Sequence, residues 1–316
     1  MNLLITGGAG FIGSHLVDRR LAAGDHVTVI DDFNDFYPPA TKRGNLAPHR
    51  ANPRFRLVEG DIRDAAAVEA AFAGQDFDAV VHLAARAGVR PSLDQPILYE
   101  EVNVVGTLRL LEAAVRHGRP RFLLASSSSV YGCGRRLPFS EDDPIDRPIS
   151  PYAATKRGAE LHVAATHHLR GLTAVCLRIF TVYGPRQRPE MAIARFLRCV
   201  EKGEPIPLYG DGSSSRDYTY VDDAVDGIEA ALRAPVEFEI INLGGAHPVS
   251  LAELVAAIET ATGRKAVVDR QPDQPGDVPA TYASVEKAAR LLAFRPRVGL
   301  PEGLRRTVEW LRGSAA

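Results

Sequence analysis

Cysteine is scarce in this chain. Cys133, Cys176 and Cys199 are the only three among 316 residues, and none has the CxxC spacing of a zinc knuckle or the density of a disulfide framework. Cys176, inside the apolar run Ala174–Leu177, reads as core. An excess of charge of one sign is also missing: 38 Lys and Arg face 39 Asp and Glu, for a formal net charge of −1. There is therefore no global basic field to attract nucleic acid or an anionic membrane, although local basic pockets are allowed. No apolar run reaches the roughly 18 residues that a membrane helix needs. Met1–Ile5 runs straight into glycines, without a basic segment followed by a long apolar one. These absences lead to the expectation of a soluble, cytoplasmic protein that binds neither nucleic acid nor membrane. With 45% hydrophobic residues, the chain can bury one large core or two unequal ones.

What the sequence does have is glycine in a telling setting. Leu3-Leu4-Ile5 has the length and apolarity of a buried strand. It leads into Thr6-Gly7-Gly8-Ala9-Gly10-Phe11-Ile12-Gly13, after which Leu16, Val17 and Leu21 recur at helical spacing. A GxxGxxG pattern between strand and helix lets main chain approach a pyrophosphate at the helix N-terminus, where free N–H groups and the dipole favour an anion. A second strand, His26–Ile30, ends at Asp31. A carboxylate there can accept hydrogen bonds from adenosine ribose hydroxyls and repel a 2′-phosphate, so NAD is expected rather than NADP.

The stretch 32–53 lacks periodicity and reads as a long surface loop. Phe55–Val58 is predicted as the third strand. Asp61, just beyond it, suits either the adenine amino group or the cap of the following helix. Ala79–Leu83 is a fourth buried strand; His82 within it reads as a core histidine with its nitrogens satisfied. Ala84 and Ala85 are small enough for a cofactor to lie close. A helix is predicted over 96–117, with Asn103 among valines and so expected to bond main chain behind the active site. Phe122–Ala125 is the fifth strand. Ser126, Ser127, Ser128 and Ser129 stand at its C-terminal end, where ligands bind in open sheets. Strands alternating with helices predict a doubly wound parallel sheet.

Ser150-Pro151-Tyr152-Ala153-Ala154-Thr155-Lys156 carries the chemistry. With Pro151 as first helical residue, Tyr152 and Lys156 share one helix face. A neighbouring ammonium favours phenolate, so the Tyr152 pKa is expected to fall from about 10 towards working pH. Such a phenol can remove a proton from a substrate hydroxyl and return it. Farther on, 189–202 reads as a helix preceded by Arg188, Ile206–Leu208 as a short strand and Glu239–Asn242 as a strand returning to the sheet. Asp222 and Asp223 are expected to cap a helix through Leu232 rather than bind metal, and no metal is expected anywhere. Ser250 with Glu253 has the capping-box pattern. A terminal helix is predicted over 301–312.

TGGAGFIG, HLAA, SSSSVYG, YAATK, Arg178–Pro185 and Arg216–Asp223, in this order, resemble the extended short-chain dehydrogenase/reductase family, and within it the nucleotide-sugar 4-epimerases, over essentially the whole chain. The resemblance implies an α/β fold: a doubly wound parallel (Rossmann) sheet with a smaller C-terminal α/β substrate-binding cap. The Rossmann domain is expected over 1–180, completed by about 217–242, and the cap over 181–216 and 243–316. It further implies a catalytic set of Ser127, Tyr152 as base and acid, and Lys156, with tightly held NAD and a UDP-sugar substrate. Together these readings put Gly7, Gly10, Phe11, Ile12, Gly13, Asp31, Asp32, Asn34, Asp61, Ile62, Leu83, Ala84, Ala85, Asn103, Ser126, Tyr152 and Lys156 against the cofactor. Ser128, Ser129, Thr181, Arg188, Arg216 and Asp277 go to the substrate, with Arg216 on its diphosphate and Asp277 on its ribose.

The 4,6-dehydratases and decarboxylases of the family carry an acidic residue just before VYG, where this chain has Ser128 and Ser129. UDP-glucose 4-epimerases usually show asparagine at the position of Thr181 and arginine at that of Gln274. Both departures, with the segments Asp32–Tyr37, Arg86–Arg90 and Gln274–Tyr282, resemble UDP-glucuronate 4-epimerases. The implied activity is the isomerisation of UDP-glucuronate to UDP-galacturonate through a 4-keto sugar; UDP-glucose 4-epimerase and a catalytically silent NAD-binding sensor are the alternatives. A homodimer through helices near 96–117 and 151–170 is the family expectation.

Overall fold

The computed structural model describes residues 1–133, 136–272 and 278–314. The first half alternates strand and helix: β1 (Asn2–Thr6), α1 (Phe11–Ala22), β2 (His26–Asp31), α2 (Pro39–Leu46), β3 (Phe55–Glu59), α3 (Ala65–Phe72) and β4 (Ala79–His82). Three helical pieces follow, α4 (Val89–Asp94), α5 (Pro96–Glu100) and α6 (Gly106–Arg116), then β5 (Arg121–Ser127), α7 (Pro151–Arg170) and β6 (Ala174–Ile179). The rest of the chain comprises β7 (Thr181–Tyr183), α8 (Ala192–Lys202), β8 (Pro205–Tyr209), β9 (Ser215–Tyr220), α9 (Val221–Arg233) and β10 (Phe238–Leu243). It closes with β11 (Pro248–Ser250), α10 (Leu251–Thr262), β12 (Val267–Gln271), α11 (Glu286–Leu292) and α12 (Leu300–Ser314).

Seven strands form one sheet in the order β10-β6-β5-β4-β1-β2-β3, and every pairing in it is parallel. Because side chains alternate across a strand, successive residues feed two cores. Leu3, Ile5, Val27, Val29, Val81, Leu123 and Val175 join one with α1 and α9; Leu4, Ile30, Val80, Phe122, Leu124 and Cys176 join the other with α3, α6 and α7. Cys176 is fully buried core, and the Asp217 side chain, also fully buried, accepts from the main-chain N–H groups of Ala246 and Ala283. The order of the sheet reverses between β1 and β4, and at such a switch point the C-terminal strand ends open a crevice. Two small sheets stand over that edge, β11-β9-β7 and the parallel pair β12-β8.

Four local expectations are corrected. Residues 39–49 are not loop but α2 and a 3₁₀ turn, Ala47–His49; Pro39, Gly44 and Asn45 mask so short a helix. The long helix near 96–117 is α5 and α6 joined through a π turn, Glu101–Val105. Asp222 and Asp223 do not cap α9; Asp223 instead accepts from the N–H groups of Arg297 and Val298. Asp61 does not cap α3; Asp64 does, accepting from Ala66 N–H. Ser250 and Glu253 do form the capping box on α10. The chain rejoins the large sheet through α9 and β10, β9 lying in the small one.

Candidate active site

Ser150 begins the site. Its Oγ accepts the Ala153 N–H at 3.1 Å, and Pro151 is the first residue of α7. This start sets Tyr152 and Lys156 one turn apart at the end of β5. Lys156 Nζ donates to the Ala125 carbonyl at 2.8 Å, pinning helix to strand. Burial lowers the Lys156 pKa to about 8, with Glu160 opposing. Ser127, the last residue of β5, accepts the Ser129 N–H and bonds the Ser129 hydroxyl, both at 3.2 Å.

Tyr152 departs from expectation. Its pKa is raised, not lowered: burial of the phenol dominates, while a hydrogen bond with Ser127 and the charge of Arg188 pull the other way. The Lys156 ammonium is bonded to main chain, so the enclosure of the ring decides the balance. Tyr99 packs edge-on against that ring with centroids 6.2 Å apart.

A cavity of about 570 Å³ runs along the strand ends. One end is walled by Gly7, Gly10, Phe11, Ile12, Gly13, Asp31, Asp32, Asn34, Asp61, Ile62, Leu83, Ala84, Ala85 and Ser126. The same cavity takes in Ser127, Ser128, Ser129, Tyr152, Lys156, Thr181, Arg188 and Arg216. Asn103 lies behind the wall: its Oδ1 accepts Arg86 N–H, and its Nδ2 donates to the Arg86 carbonyl and to Thr155 Oγ1. Asp277 and Gln274 fall outside the described residues.

At the first end the glycines shape the floor. Gly7 has φ +67°, and a Cβ on Gly13 would meet the Gly7 carbonyl oxygen at 2.3 Å. Gly10 leaves the N-cap of α1 without a side chain, and no acidic residue stands in the first turn. Asp31 accepts from the N–H groups of Ala9 and Phe33 at 3.1 and 3.0 Å; burial raises its pKa, with the Phe33 bond and Lys42 opposing. Burial would also raise Asp61, but hydrogen bonds from Arg63 outweigh it and its pKa is lowered.

The serines are held from below. Ser126 donates to buried Glu160 at 2.6 Å, so that hydroxyl is committed away from any ligand. Glu160 also takes Arg178 at 2.9 and 3.0 Å, and Arg178 reaches the Tyr131 hydroxyl at 3.0 Å. His82, in β4, bonds Thr6 and Thr107 through its two ring nitrogens, the satisfied core histidine expected of it.

Sequence reasoning overlooked Glu160 and Lys42, and it singled out the segment that Arg86 begins without giving Arg86 a role. Glu160 continues the helix-face spacing of Tyr152 and Lys156 and so carried a signal. Lys42 bonds the carbonyl and side-chain oxygen of Asn34 from a helix hidden in apparent loop. At the other end Arg188 pairs with Glu190 at 3.2 Å, and an Arg216 guanidinium N–H donates to the Ser215 carbonyl at 2.8 Å. Among the described residues no cluster of side chains has a metal-binding arrangement, and no helix is long and apolar enough to cross a membrane.

Comparison with known proteins gives a consistent picture. The family described as GDP-mannose 4,6 dehydratase matches residues 4–307. A UDP-glucuronate 4-epimerase of Thermodesulfobacterium geofontis is 42% identical over 97% of this chain and 95% of its own. The structure of UDP-glucuronic acid 4-epimerase from Bacillus cereus, in complex with UDP-glucuronic acid and NAD, superposes with a TM-score of 0.92 at 36% identity, over 99% of this chain and 100% of that one. A Thermus thermophilus UDP-glucose 4-epimerase complexed with NAD has a TM-score of 0.91, also at 36% identity, over 99% of this chain and 100% of that one.

Proposed function

Since the chain belongs to the GDP-mannose dehydratase-like family of extended short-chain dehydrogenases/reductases, we propose that it is an NAD-dependent isomerase that interconverts UDP-glucuronate and UDP-galacturonate at carbon 4. The observation that carries this reading is the company Tyr152 keeps. Ser127, Ser128, Ser129 and Thr181 supply hydroxyls, and Arg188 a cation, in the same cavity. A sugar carboxylate finds donors there without a facing negative charge, because Glu190 is held by Arg188 and the other acidic groups lining the cavity, Asp31, Asp32 and Asp61, follow β2 and β3 at the glycine-rich end.

The glycine-rich end fits a dinucleotide. The uncapped start of α1 offers main-chain N–H groups to a pyrophosphate, and Asp31 retains lone pairs for ribose hydroxyls. Bound there, against Gly7, Gly10, Gly13 and Asp31, NAD would supply reversible hydride acceptance for carbon 4 of the sugar. Tyr152 removes the proton from the 4-hydroxyl and gives it back. Ser127, which shares the cavity with that phenol, orients the oxygen. Lys156, anchored on Ala125, keeps a cation beneath the pair. Ser128, Ser129, Thr181 and Arg188 grip the carboxylate while the 4-keto sugar turns. That grip also restrains a β-keto acid that would otherwise lose carbon dioxide. Arg216, and Asp277 by resemblance, hold the nucleotide, so the segments 181–220 and 244–316 act as the substrate cap on a domain of 1–180 completed by α9 and β10.

A homodimer is supported by apolar side chains left in the open on neighbouring helices: Leu93, Ile97, Val105 and Leu161 are 45, 71, 39 and 52% exposed. The three cysteines are unpaired, which suits the cytoplasm.

Incubating purified protein with UDP-glucuronate and, separately, UDP-glucose, followed by proton NMR, tests the activity. UDP-galacturonate should appear without added NAD. UDP-galactose in its place would reassign the substrate, and no product from either sugar would overturn the reading.

A further inference from the structure

Arg86 has no task in the reaction just described, yet it is among the most firmly placed cations of the cavity wall. Its N–H donates to Asn103 Oδ1 at 2.8 Å and its carbonyl accepts from Asn103 Nδ2 at 3.0 Å, so its main chain is gripped on both sides. The segment leading to it crosses the glycine-rich turn at close range: a Cβ on Gly7 would meet the Ala84 nitrogen at 2.7 Å. The guanidinium carbon lies over the Phe36 ring, 5.7 Å from its centroid, and that of Arg188 lies over the same ring at 5.4 Å. Among the described residues no carboxylate pairs with the Arg86 guanidinium and no acceptor takes its N–H groups. Its charge is felt by Asp61 and Lys42 at the glycine-rich end, and also by Tyr99, which packs against Tyr152.

An aromatic face fixes the plane of a guanidinium while leaving its donors free. Such a group in a cavity wall, without a carboxylate of its own, is a receptor for phosphate oxygen. We infer that Arg86, presented on Phe36, is a second phosphate-binding group for the dinucleotide, supplementing the N-terminus of α1. The assignment rests on the NAD reading above. It chooses the dinucleotide over the diphosphate of the sugar substrate because of the contact between Ala84 and Gly7 and the proximity of Asp61 and Lys42.

The test uses the full chain as wild type, Arg86→Gln, Arg86→Lys, Phe36→Ala and the double variant Arg86→Gln with Phe36→Ala. Three quantities are read: the dinucleotide retained after extensive gel filtration and, by calorimetry on stripped protein, the dissociation constants of NAD and of UDP-glucuronate. Losing a charge-assisted hydrogen bond should weaken NAD binding about tenfold or more in Arg86→Gln. Arg86→Lys should fall between it and wild type. Phe36→Ala should weaken binding in the same direction, and the double variant should be no worse than Arg86→Gln, because Phe36 acts through Arg86. NAD affinity unchanged in Arg86→Gln overturns the inference, as do independent, additive effects of the two substitutions. A rise confined to the dissociation constant of the UDP-sugar would move Arg86 to the substrate and overturn it equally. If wild type itself bound no dinucleotide, the NAD reading would fall instead, which the wild-type titration separates.

Discussion

Tyr152→Phe keeps the ring that packs against Tyr99 and deletes only the hydroxyl. The variant should therefore retain NAD while losing epimerisation by orders of magnitude; NMR-detected turnover near the wild-type rate would remove Tyr152 from its role. The pH dependence follows from burial of the same group. Enclosure raises its pKa, so phenolate is gained as the solution becomes more alkaline, and kcat should climb from about pH 6 to about pH 9. A flat profile would mean that the assembled complex lowers the phenol as the sequence pattern suggested. That pattern could show which charges neighbour Tyr152, but how tightly the ring is enclosed is a tertiary property that no YxxxK spacing contains. His82 makes a separate acid-side prediction. Burial pushes its imidazole down to about 3, below the unfolded value of about 6.5. The unfolded chain therefore takes up a proton first, and stability is lost as pH falls from about 6.5 towards 3. At about pH 4.5 the loss is about 2–3 kcal/mol, which denaturant titrations at pH 7 and 4.5 would read as a fall absent from His82→Gln.

At the scale of elements, α7 shows why so much could be read in advance. Its proline and the recurrence of Tyr152 and Lys156 on one face are local facts, and local facts are legible. The five strands β1 to β5 were legible for a similar reason: each is a short apolar run closed by glycine, a polar residue or a charge. What escaped lay where pattern is weak or distant. α2 is short and interrupted, and the π turn at Glu101–Val105 inserts a residue that no periodicity announces, yet it presents Asn103 to both Arg86 and Thr155. Asp223 serves the main chain of 297–298 across the fold, a partnership without a sequence signature. The tie between α7 and β6 yields a prediction. Glu160 and Arg178 are 0 and 1% exposed, and removing one partner strands the other charge. Glu160→Ala should destabilise the protein by about 3–5 kcal/mol, with Glu160→Gln, which keeps an acceptor for Ser126 and Arg178, losing less. Equal melting temperatures for both variants and wild type would show the buried pair to be dispensable.

For the whole molecule, the open apolar helices are the first question. Ile97→Glu with Leu161→Glu should convert a dimer into a monomer in sedimentation or light scattering, without disturbing the core, because both side chains are solvent-exposed in the single chain. An unchanged mass would place any interface elsewhere. The order in which the large sheet is completed matters in a different way. All six residues of β6 are buried, and one of its two neighbours is β10, which the ribosome delivers only after β7, α8, β8, β9 and α9. Until then a nascent chain carries β6 as a bare, apolar margin with unpaired peptide groups, the kind of surface that recruits other copies. Premature termination before Phe238 should therefore yield aggregates even though the glycine-rich turn, the serines and Tyr152 have all been translated. Production of this protein in cells becomes a race between the last strand and self-association, one that slower growth or a chaperone would help it win.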